Sequence, residues 1–118
     1  MDYKFYYPYK SIRKGKKFMV LTSNYKWIYF GENPYEHYTE GHLDEKRRLN
    51  YDKRNKGRDK DRTDYNTAGF WSYWYLWKYK TYDEAYKHIK KIILNDTLKS
   101  IILLIYFYKI LFLLVLTL

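Results

Sequence analysis

The sequence predicts an α+β fold. We expect a small antiparallel β-hairpin of two or three strands, covered by two or three helices, with a hydrophobic helix at the C-terminal end. Three observations carry this expectation. "FMVL" (18–21) and "YKWIYF" (25–30) are aromatic and branched runs separated by Thr22, Ser23 and Asn24. Farther along, Asp44, Thr67 and Thr81 are each followed by helix-forming sequence, as helix caps should be. The last eighteen residues are almost wholly apolar.

Element by element, the chain opens with an aromatic, charged stretch that lacks the apolar core of a secretory signal. "KSIRKGKK" (10–17) carries five positive charges and no acid, and reads as a solvated loop or arm. The hairpin follows, with Asn24 suited to its turn and Gly31 closing its second strand. "ENPYEHYT" is then a loop or a short third strand interrupted by Pro34. A two-stranded hairpin is marginal in water, so other elements must cover one of its faces.

Asp44 caps a polar helix running to about Asn55, with Glu45 in its first turn and Gly57 as a stop. "KGRDKDRTD" (56–64) mixes charges of both signs and reads as a flexible linker. Thr67 caps the helix that contains "TAGFWSYWYLW" (67–77). At helical spacing, Phe70, Tyr73, Trp74 and Trp77 form its apolar face, and Trp71 falls off it. Thr81 and Glu84 form a capping box for a helix whose stripe is Tyr82, Ala85, Tyr86, Ile89, Ile92 and Ile93.

At 118 residues the chain has room for one domain. The expected organisation is a basic arm over 1–16, an α+β domain over 17–95 and a hydrophobic tail over 96–118. Small domains gain from large side chains, and this one has 17 Tyr, 6 Phe and 4 Trp. The scarcity of Ala beside abundant Tyr, Lys, Ile and Asn also fits an AT-rich coding sequence, so some surface tyrosines reflect mutational bias. Between 101 and 118, fourteen residues are Ile, Leu, Phe or Val, and Lys109 is the single charge. As a helix this segment is about 27 Å long, close to a bilayer core of about 30 Å. Lys87, Lys90, Lys91 and Lys99 lie on its N-terminal side, which would hold the body in the cytoplasm. A core helix of an oligomer and appended sequence without function are the competing accounts of the tail.

Composition excludes several chemistries. Without Cys there is no disulfide, thiolate metal site or cysteine nucleophile. His37, His42 and His88 are not spaced for a metal with the nearby carboxylates, so no metal site is expected. The five glycines form no phosphate loop, and no serine sits in a nucleophile elbow. We therefore expect no catalytic residues, no cofactor and no enzymatic activity. Lys and Arg exceed Asp and Glu by ten, which favours a polyanionic partner or simply keeps an aromatic-rich protein soluble.

Several segments together resemble an uncharacterised family of small proteins encoded by nucleocytoplasmic large DNA viruses, the giant viruses among them. The residues that carry the likeness are Phe30-Gly31, Tyr35, Tyr38-Thr39, Asp44 through Arg48, Tyr51 and Arg54. The most specific part is Thr67 through Ser72 with Leu76-Trp77. The likeness spans roughly residues 17–94. It departs at Arg54-Asn55, where family members have Arg-His, at an inserted Gly41, and over the tail from Asp96. The resemblance implies a viral origin and a virion component, and it implies no mechanism.

Three functions are expected, of which the first two can hold together. The first is a non-enzymatic virion-associated structural protein, in the particle or the host cytoplasm. Its basic face would bind DNA or an acidic viral protein through Lys10, Arg13, Lys14, Lys16, Lys17, Arg47, Arg48, Arg54 and Arg58. The second is a membrane protein tail-anchored through residues 101–118. The third is a single-strand nucleic-acid binder that stacks bases on exposed aromatics, with Trp71 as the candidate ring.

Overall fold

The computed structural model describes residues 2–58 and 60–118, and it divides into two units, Met1–Tyr86 and Lys87–Leu118. The first unit is α+β. It contains a three-stranded antiparallel sheet in the order β1 (Tyr9–Lys10), β2 (Lys16–Leu21) and β3 (Trp27–Glu32). The predicted hairpin is β2–β3, in a register that sets Phe18 opposite Phe30 and Val20 opposite Ile28. Its turn is closed by Thr22, whose backbone N–H donates to the Lys26 carbonyl at 2.9 Å. The left-handed position in that turn belongs to Tyr25, at φ 60°, and not to Asn24.

The third strand comes from the other side of the hairpin. Tyr9 and Lys10 pair with Met19 and Phe18, and the Tyr6 N–H donates to the Leu21 carbonyl at 2.8 Å. Within the stretch expected to be a basic arm over 1–16, Tyr9, Lys10 and Lys16 therefore belong to the sheet and residues 11–15 form the turn between β1 and β2, while "ENPYEHYT" contributes no further strand. Tyr3 anchors this segment by meeting both Tyr9 and Trp27 edge-on. β1 is only two residues long, too short to show alternation in the sequence.

The helices begin where their caps predict. In α1 (Glu45–Arg54) the Asp44 carboxylate accepts from the Arg47 N–H at 3.2 Å. Thr67 caps α3 (Ala68–Trp71) by accepting from the Phe70 N–H at 3.2 Å. Thr81 caps α4 (Tyr82–Thr117) through the Glu84 N–H at 3.2 Å. The segment expected to be a flexible linker holds a short helix, α2 (Lys60–Thr63). Its Arg62 carbonyl accepts from Trp74 Nε1 at 2.9 Å, and its guanidinium covers the Tyr73 ring at 4.4 Å. Asp59, within the same stretch, lies outside the described residues.

After Trp71 the backbone widens into a π-helical stretch, Ser72–Trp77. A π-turn advances the contact spacing from four residues to five. The buried set is consequently Phe70, Trp71, Tyr73, Tyr75, Leu76 and Trp77, and Trp74 is only half-buried. Trp71 and Leu76, five apart, are both fully enclosed. Phe18 and Phe30 stack against each other, and both meet Tyr75 edge-on, which joins the sheet to this helix.

The second unit is the remainder of α4. Its apolar half is exposed along its length, and a window of eighteen residues has a mean hydropathy of 2.4 with none of it buried.

Candidate nucleic-acid interface

Two recesses in the first unit gather most of the basic residues singled out above. The first is an open groove of about 990 Å³ between β3, α1 and the start of α3. On α1 its wall is Arg47, Asn50, Tyr51 and Arg54, the i, i+3, i+4, i+7 positions of one helical face, with Lys53 beside them. Opposite stand Tyr29, Gly31 and Glu32 of β3, and the segment after it supplies Tyr35, Glu36 and His37. Ala68, Gly69, Ser72 and Trp77 complete the lining. Ser72 and Trp77 reach the same groove because the π-turn sets residues five apart on one side.

The groove's geometry is held by rings and a clamped turn. Tyr51 stacks on Trp77 with centroids 4.5 Å apart and planes 6° from parallel, which fixes α1 against the π-helical stretch. Between β3 and α1 the Tyr38–His42 turn is pinned by Thr39, whose hydroxyl donates to the Tyr79 carbonyl at 2.6 Å. Glu40 adds a carboxylate that accepts from the Tyr82 N–H at 2.7 Å. His37 is 9% exposed, and its Nδ1 lies 3.0 Å from the Lys17 ammonium. Burial first, and the neighbouring Lys17 charge second, push the His37 imidazole down to about 4, so it is neutral at pH 7. Burial likewise lowers Lys17, against a smaller opposing effect from Glu36. His42 accepts from the Asp44 N–H at Nδ1 (2.9 Å), and its Nε2 is buried without a hydrogen-bond partner among the described residues.

The second recess lies at the β1–β2 turn and is lined by Lys10, Arg13, Lys14, Lys16 and Lys17, with no acid in its lining. The turn is tight. Ser11 Oγ accepts from the Arg13 N–H at 2.9 Å, and Gly15 takes φ 86°, a left-handed conformation that glycine adopts without steric cost. The Arg13 guanidinium lies over the Tyr29 ring at 5.3 Å, within cation–π range. Lys16 lines both recesses and pairs with Glu32.

Residues 9–55 match the sequence profile of a family of unknown function, DUF5754. The matched region contains the whole β1–β2 recess and the sheet and α1 walls of the groove. Searches of curated proteins and of solved structures found no match.

The structure separates the nine predicted basic residues. Lys10, Arg13, Lys14, Lys16 and Lys17 converge on the turn, and Arg47 and Arg54 on the groove. Arg48 faces elsewhere. It pairs with Glu45, lies 3.8 Å from Asp52 and covers the Tyr38 ring at 5.7 Å, so its charge is used within the fold. Arg58 lines neither recess and donates to Asn55 Oδ1 at 3.4 Å. Trp71 requires correction as a stacking ring. It is fully buried and donates from Nε1 to the Tyr65 carbonyl at 2.9 Å, so no base can reach its face. Sequence reasoning did not single out Asn50, Lys53 or Ser72. The spacing of Asn50 with Arg47 and Arg54 was open to it, whereas Ser72 depends on the π-turn. Among the described residues, no group of three His, Cys, Asp or Glu side chains is placed to hold a metal ion.

Proposed function

We propose that the first unit is a non-enzymatic nucleic-acid-binding module that grips phosphates through the β1–β2 turn. The observation that carries this reading is the convergence of Lys10, Arg13 and Lys14 on one recess with no acid in its lining, beside Lys16, which pairs with Glu32, and Lys17, which contacts His37. Clustered cations of this kind attract a polyanion by releasing its condensed counterions. The cation-bearing α1 wall of the neighbouring groove extends the same surface, with Lys16 shared between them. The likeness to small proteins of nucleocytoplasmic large DNA viruses supports placing the module in a virion, as a structural component against the viral DNA.

The test is DNA affinity as a function of salt. Affinity should fall by tenfold or more between about 50 and 200 mM salt. The Arg13→Glu/Lys14→Glu variant should weaken binding to all sequences and flatten that slope by about one contact per side chain removed. Salt-independent binding would refute the reading. Retention on polyglutamate without retention on DNA would instead identify an acidic protein as the partner.

A second reading, favoured by the exposed apolar stretch of α4, anchors the chain in a membrane through residues 101–118. Lys87, Lys90, Lys91 and Lys99 would then lie at the anionic cytoplasmic face. Carbonate extraction tests it. The full chain should stay with the membrane fraction, and deletion of residues 97–118 should release it.

A further inference from the structure

We infer that the groove beside α1 takes an unpaired segment of nucleic acid, with its phosphates on Arg47 and Arg54 and a base against the ring of Tyr35. This rests on the polyanion-binding reading above and adds to it a ligand class, an unpaired strand, and a second site.

The charge distribution on α1 selects the site. Arg48 is consumed by Glu45, Asp52 and the Tyr38 ring. Arg47 and Arg54, on the groove side, are exposed and have no ion-pair partner among the described residues. They are seven residues apart, so their stems are about 10 Å apart along the helix axis. That spread suits successive phosphates of a strand better than one small anion. Asn50 and Ser72 bring side-chain donors and acceptors to the same groove, where a base edge can use them.

The aromatic content selects an unpaired strand. Most rings of this unit are packed against one another. Tyr51 is stacked on Trp77, and Tyr29 is covered by Arg13. Tyr35 lines the groove, is 68% exposed and engages no other ring among the described residues. A base presents its face to a ring only when it is unstacked, because in a duplex both faces are covered by neighbouring pairs. The volume of about 990 Å³ is at the upper end of the range for ligand pockets, about 300–1,000 Å³, and accommodates a nucleotide with its flanking phosphates. The two acids of the groove lie on the side opposite α1. Glu32 is paired with Lys16, and Glu36 follows β3, so the phosphates are drawn to the α1 wall.

The experiment uses the full chain in mild detergent at low salt. Its probes are a short labelled oligothymidine and a labelled duplex of the same length, read by fluorescence anisotropy. Tyr35→Ala should weaken oligothymidine binding about tenfold, as loss of one stacked base does, and leave duplex binding unchanged. Tyr35→Phe should restore it. Arg47→Gln/Arg54→Gln should weaken the single strand more than the duplex, whereas Arg13→Glu/Lys14→Glu should weaken both alike. The exposure of Tyr35 makes its variants safe for folding, and unchanged tryptophan emission verifies this. If Tyr35→Ala leaves the single strand unaffected, or weakens both probes equally, the groove inference is wrong while the phosphate-binding reading stands. If the wild type binds neither probe, both fall together.

Discussion

Gly31→Ala is the substitution whose cost the structure defines most closely. Gly31 sits in β3 at φ 79°, a left-handed conformation that costs a residue with a Cβ about 1–2 kcal/mol. A methyl group there would lie 3.1 Å from Lys17 Cβ and 3.2 Å from Leu76 Cδ1, inside ordinary carbon contact of about 3.5–4.0 Å. Leu76 is fully buried and cannot swing away, so overpacking adds about 1–3 kcal/mol. The total is about 2–5 kcal/mol, and a domain of this size loses about 4–8 °C for each kcal/mol, so the midpoint should fall by about 10 °C or more. Gly15→Ala is the matched control. Gly15 has φ 86° but nothing within 4 Å of the added carbon, so only the backbone cost should remain. Thermal unfolding of the full chain in detergent, followed by tryptophan emission, reads both variants, because Trp27, Trp71, Trp74 and Trp77 all lie in the first unit. Equal losses for the two glycines would refute the packing argument, and no loss at either would refute the conformational one.

Other consequences can be measured in the same way. The His37 imidazole titrates near 4 in the folded chain and near its ordinary 6.5 when unfolded, so the unfolded state binds more protons between those values. Stability should therefore be complete above about pH 6.5 and decline as pH falls toward 4, by up to about 3 kcal/mol, and His37→Gln should flatten that decline. Thr39→Val removes the hydroxyl that the buried Thr39 donates to the Tyr79 carbonyl and should cost about 1–3 kcal/mol in the same unfolding assay. Trp71→Ala should cost about 3–5 kcal/mol while leaving DNA affinity intact below its new midpoint. Lost affinity with an unchanged midpoint would restore Trp71 as a contact residue.

The sequence by itself determined the features that depend on near neighbours. The caps at Asp44, Thr67 and Thr81 act over three residues, and the structure has all three where their spacing put them. The β2–β3 hairpin and the apolar half of α4 were legible for the same reason, since each is written in a continuous run. The basic wall of the groove was half legible. Arg47 and Arg54 were singled out, but their separation from Arg48 needed the acids and the ring that claim Arg48. Tertiary structure alone decided the rest. Strand β1 exists because Tyr9 and Lys10 find an edge ten and eight residues away by register. The π-turn at Ser72–Trp77 replaced the 3.6-residue face with another, so that Trp71 went inside and Ser72 and Trp77 turned to the groove. His37, a polar loop residue by sequence, became a neutral base because the fold buried it and, as a smaller effect, set the Lys17 charge beside it. Which ring is buried and which charge is open depends on what lies across the interior, and a linear pattern carries no record of that.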